Sequence, residues 1–97
     1  MPKRIKLVDV KGATSVYIDA SIDEAGNLVF SGQDIGEAPQ KYVGDSDYEY
    51  WLTVGADKKD LFLLSLLQEL FENDIRVMSK VREILEAKGI AFSTHSF

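Results

Sequence analysis

"SVYIDASIDEAGNLVFSG", residues 15–32, decides the fold. Along an extended chain Val16, Ile18, Ala20 and Ile22 point one way, and Tyr17, Asp19, Ser21 and Asp23 point the other. That period of two belongs to a half-buried strand, here over 15–23. "EAGN" (24–27) follows, with Gly26 and Asn27 both able to take positive φ, and "LVFSG" (28–32) resumes the extended pattern. Together the three pieces predict a β-hairpin.

Working outward, "RIKLVDVK" (4–11) is short, β-branched and bounded by Gly12, so it predicts another strand. "YEYWLTVG" (48–55) alternates again and predicts a strand over 48–54. Large side chains occupy both of its faces, which argues for a central strand or one flanked on both sides. After Asp57 the period changes. Apolar residues at 63, 66, 67, 70 and 71, with no Gly or Pro before Asn73, predict a helix over 57–72. Leu61, Phe62 and Leu64 lie off its main stripe, so its first half reads as buried nearly all round. Asp74 can cap a second helix over 75–88. That helix carries Val77, Met78, Val81, Ile84 and Leu85 on one face and Arg82–Glu86 as an i,i+4 pair on the other; Gly89 ends it. Residues 90–96 alternate weakly, as a short last strand would.

Strands first and helices after predict one α+β domain over 1–97. Its sheet would be antiparallel, of three to five strands, with two helices packed on one face. The expected core is Val16, Ile18, Ile22, Leu28, Phe30, Leu52 and Val54 against Leu63, Leu66, Leu67, Leu70, Val81 and Leu85.

The chain has 97 residues and a net charge of −5, of which residues 28–55 carry −4. Such a surface repels phosphate, which disfavours nucleic acid and anionic membranes as partners. No apolar run reaches the ~20 residues of a membrane span, and the basic N-terminus leads into no signal-peptide core, so a cytoplasmic chain is expected. With no cysteine, disulfides, thiolate metal sites and cysteine nucleophiles are all excluded.

Catalytic signatures are missing as well. The lone histidine, His95, stands three residues from the end, and no G-x-S-x-G, G-x-G-x-x-G or phosphate loop is present. "DSDYEYWLTVGA" (45–56) opens like a calcium loop, but Tyr50 and Ala56 occupy the places where an EF-hand needs Gly and Glu. No catalytic residue, metal ligand set or cofactor is therefore assigned, and "GQDIG" (32–36) reads as a turn using Gly32 and Gly36.

Binding is the expectation that remains. Between Phe30 and Trp51 lie five carboxylates and three tyrosines. Tyr and Trp supply much interface energy, and surrounding charge selects partners. The candidate partner-binding residues are Asp34, Asp45, Asp47, Tyr48, Glu49 and Trp51, presented to another protein of basic character. The alternative is a small-ligand or divalent-cation site built from the acids of 34–49. Alternation turns Trp51 away from Tyr48 and Tyr50, so one side of this strand must show aromatic surface or be covered. A homodimer, with Trp51 or the 90–97 segment at its interface, is a separate expectation.

"LVFSGQDIG" followed by "GDSDYEYWLTV" resembles an uncharacterised group of small bacterial proteins. They share a strand ending in G-Q-D-[IL]-G and a second containing Y-E-Y or Y-E-W. The resemblance spans roughly 28–54 and implies no activity. It marks Gly32, Gln33, Asp34, Gly36, Tyr48, Glu49, Tyr50 and Trp51. In size, charge and architecture the chain also loosely resembles antitoxin- and immunity-like proteins, which implies a non-enzymatic role masking a basic partner.

Overall fold

A computed structural model describes residues 3–97. The fold is α+β, with a four-stranded antiparallel sheet and three α-helices. Strands β1 (Arg4–Val10), β2 (Thr14–Ile22), β3 (Leu28–Gly36) and β4 (Asp47–Val54) form a meander in chain order. Helix α1 (Glu37–Val43) joins β3 to β4; a 3₁₀ turn (Ala56–Lys58) leads into α2 (Lys59–Phe71), and α3 (Val77–Ala87) follows. The chain divides into two compact units, residues 1–63 and 64–97. Among the described residues no helix is long and apolar enough to cross a membrane.

The hairpin forms as its sequence requires. Gly26 takes φ 85°, and the Asp23 carboxylate accepts the Asn27 backbone N–H at 2.9 Å and its side-chain amide at 3.1 Å. Those two bonds, the backbone one first, hold the Asp23 carboxyl below its usual pKa. The register Ile22↔Leu28 through Thr14↔Gly36 keeps Val16, Ile18, Ala20, Leu28 and Phe30 on one face. The β3–β4 register, Gly32↔Tyr50 and Phe30↔Leu52, adds Tyr48, Tyr50, Leu52 and Val54 to that apolar face. The other face carries Tyr17, Asp19, Ser31, Gln33, Glu49 and Trp51.

Several expectations change. β3 runs on to Gly36, so "GQDIG" is strand rather than turn. Gly32 has no positive φ there; Gly36 does, at 131° where β3 ends. The segment 37–43, where the sequence predicts no element, is a helix. Pro39 suits it because a first-turn residue needs no N–H donor, and Gly44 in the left-handed region ends it. β4 is an edge strand, not a central one. Residues 90–97 form no strand.

Pro39 and Ala20 are the buried apolar side chains among the described residues. Of the expected core, Val16, Ile18, Leu28, Phe30 and Val54 are half-buried, whereas Leu52, Leu63, Leu66, Leu67 and Leu70 are exposed. Leu61 and Leu64 are exposed too, not buried all round. The covering element on the apolar face is α1, and its seven residues reach one end only. Further along, Phe62 meets Phe30 edge-on at 6.4 Å.

In the second unit Asp74 pairs with Lys80 and accepts the Arg76 N–H at 2.9 Å, and these, the Lys80 bond first, hold its carboxyl below the usual range. Arg82 and Glu86 form the expected i,i+4 pair at 3.8 Å. α3 ends where Gly89 turns left-handed. Ile90 N–H then bonds Leu85 O at 2.9 Å and Gly89 N–H bonds Glu86 O at 3.2 Å, satisfying carbonyls that the last turn would orphan.

Candidate functional site

Two clusters of polar and aromatic side chains form on the sheet, one on each face. On the apolar face, at the end covered by α1, Asp34 accepts hydrogen bonds from the Tyr50 hydroxyl at 2.8 Å and the Tyr42 hydroxyl at 2.9 Å. Tyr48 packs beside them, its ring 5.7 Å from Tyr42 and 5.6 Å from Tyr50. Glycine makes this arrangement possible. An added Cβ on Gly32 would lie 2.1 Å from the Tyr50 ring, so Tyr50 crosses the β3 backbone only because residue 32 has no side chain.

Helix α1 delivers Tyr42 to the same carboxylate. Its start is fixed by the Thr14 hydroxyl, which accepts the Ala38 N–H at 2.9 Å, and by Ala13 O, which accepts the Glu37 N–H at 3.2 Å. The cluster thus ties β3, β4 and α1 to one carboxylate. Burial first, and then the hydrogen bond to Asp34, push the Tyr50 phenol from 10.0 up to about 12. The same causes in the same order raise Tyr42.

A pH dependence follows. Folding favours the protonated Tyr50 phenol, so its contribution to stability is complete below pH 10 and is lost as pH rises through 10 toward about 12. In an absorbance titration the native chain should show a late phenolate step near pH 12 that Tyr50→Phe removes. Identical curves for the two proteins would contradict it.

The polar face is built differently. A shallow groove of about 240 Å³ is lined by Arg4, Tyr17, Asp19, Gln33, Glu49 and Trp51, drawn from all four strands. Trp51 stands 65% exposed there. Asp19 pairs with Arg4 at 3.2 Å and Lys6 with Asp9 at 3.3 Å, so the basic groups of β1 are matched locally. At the other edge Asp47 accepts a hydrogen bond from the Gln33 amide at 2.9 Å, and Glu49 has no ion-pair partner among the described residues. The face therefore grades from neutralised charge at β1 to uncompensated acid at β4.

The pleat splits the six expected binding residues. Glu49 and Trp51 share the polar face, with Asp47 at its edge. Asp34 and Tyr48 lie on the opposite face, and both lone bonds offered to Asp34 come from tyrosines, not from an outside group. Asp45 stays in the exposed turn before β4, its carboxylate accepting the Asp47 N–H at 3.2 Å. Among the described residues no three acidic or histidine side chains converge as metal ligands would. Tyr17, Asp19, Gln33 and Arg4, absent from the sequence-based set, join Trp51 through strand register. The alternation of 15–23 already placed Tyr17 and Asp19 on a wet face; only the pairing of β2 with β3 and β3 with β4 brings that face beside Trp51. No family model, curated protein or solved structure matches this chain.

Proposed function

We propose that the chain is a non-enzymatic protein-binding domain that engages a basic partner through the polar face of its sheet. The carrying observation is Trp51, 65% exposed and lining one groove with Tyr17, Asp19 and Glu49. A large indole left in water on a rigid strand is an anchor awaiting cover. Glu49, without an ion-pair partner among the described residues, supplies the charge that selects a basic group. Asp47 and Asp45 extend the acidic margin, and Asp34 supports the fold from behind. Masking of a basic partner is the form this takes in the antitoxin- and immunity-like proteins the chain loosely resembles.

Trp51 is the single tryptophan, so its fluorescence reads this surface directly. Titration with a lysine- and arginine-rich peptide at low salt should change that emission, and an equally long acidic peptide should not. Glu49→Gln should weaken binding and flatten its salt dependence. In a label-based assay Trp51→Ala should cost about 2 kcal/mol, roughly 30-fold in affinity. Equal response to both peptides, or full binding by both variants, would sink the proposal.

A further inference from the structure

The two edges of the sheet are not alike. β1 is protected as edge strands usually are: its register shifts between Lys6 and Val8, and Arg4 and Lys6 sit on it. β4 has neither a bulge nor a basic side chain, its two charges being Asp47 and Glu49. It runs eight residues, "DYEYWLTV", without Lys, Arg, Pro or Gly, and its register with β3 is unbroken. Apart from its ladder with β3, no backbone–backbone hydrogen bond between elements of the described residues involves 47–54.

The phase of that ladder identifies the groups left open. Gly36 N–H bonds Ser46 O at 2.8 Å, so 36/46 is a hydrogen-bonded pair. Bonded pairs in an antiparallel ladder recur every second residue. Hence Tyr48, Tyr50, Leu52 and Val54 turn their N–H and C=O toward β3, and Glu49, Trp51 and Thr53 turn theirs outward. The side chains of those three lie on the polar face with the exposed indole.

We infer that β4 pairs antiparallel with β4 of a second copy of this chain, about a two-fold axis through Trp51. The occupant follows from self-complementarity. With Trp51 opposite Trp51, Glu49 falls opposite Thr53 and Asp47 opposite Gly55, so no carboxylate faces another across the axis. Every residue from 48 to 54 finds a partner, and each outward pair exchanges two backbone bonds. The two indoles, each 65% exposed in the single chain, lie side by side. The product is one continuous sheet of eight strands ending at two protected β1 edges. The inference rests on backbone direction and is independent of the basic-partner reading; the joined polar faces would carry both Trp51 grooves.

Light scattering after size exclusion tests it. The native chain should show twice its 10.8 kDa mass at micromolar concentration. Thr53→Pro removes an outward N–H and spares the β3 ladder, so it should elute at 10.8 kDa with an unchanged far-ultraviolet circular dichroism spectrum. Asp9→Pro, the same change on the β1 edge, should remain a dimer. Since the chain has no cysteine, Trp51→Cys gives one thiol that meets its own copy about 5.5 Å away, within disulfide reach. It should cross-link quickly under mild oxidation, whereas Glu49→Cys, some 13 Å from its copy across four residues of strand, should not. A native monomer at every concentration, a folded Thr53→Pro dimer, or equal cross-linking of the two cysteine variants would each overturn the inference.

Discussion

Gly36→Ala should be the most damaging single methyl group in this sheet, lowering stability by about 3–5 kcal/mol. Residue 36 sits at φ 131°, ψ −143°, a region open essentially to glycine alone. Its Cβ would land 2.1 Å from Ala13 O and 3.0 Å from Thr14 Cα. Those are backbone atoms, and they cannot retreat. Ala13 O holds the Glu37 N–H, the Thr14 hydroxyl holds the Ala38 N–H, and Gly36 N–H itself is bound to Ser46 O. Relief requires breaking the bonds that start α1 and seat Tyr42 on Asp34. Against the 5–15 kcal/mol typical of a domain, this loss should move the urea midpoint far down. The surviving native fraction should also lose the late Tyr50 phenolate step. A midpoint within error of the native chain would show that the β3–α1 junction is not the constraint described.

Gly32→Ala should come second, at about 2–4 kcal/mol, by a different route. The obstacle is the Tyr50 ring at 2.1 Å, a side chain that can swing away. Swinging away forfeits the 2.8 Å bond to Asp34 and the packing against Tyr48. The two mutations should therefore be strongly non-additive. In a Tyr50→Ala background, Gly32→Ala should cost less than about 1 kcal/mol, since a mid-strand alanine has no ring to meet. Equal costs in both backgrounds would place the strain elsewhere than at this contact.

The contrast between these glycines shows what the sequence could and could not convey. The hairpin, the alternation of β2 and β4, and the Gly89 stop were legible because each depends on residues within a few positions. "GQDIG" read as a turn because both glycines suggested positive φ. Only Gly36 needs it; Gly32 is bare because a ring eighteen positions later passes over it. Helix α1 is not legible because seven residues with a proline and flanking glycines have the composition of a loop. The two rich faces of β4 suggest a central strand, yet alternation reports faces and is silent about lateral neighbours. The candidate site suffered likewise. Asp34 and Trp51 are close in sequence but on opposite sides of the pleat, and Tyr17 reaches Trp51's groove only through two strand registers.

The meander order has a kinetic consequence. Every strand pairs with its neighbour in the chain, so each step of sheet formation closes a short loop and no strand waits for a distant one. All four strands lie before residue 55, ahead of α2 and α3. During synthesis the sheet can therefore be complete while the segment carrying α2 and α3 is still emerging, with β4 its most recently added margin.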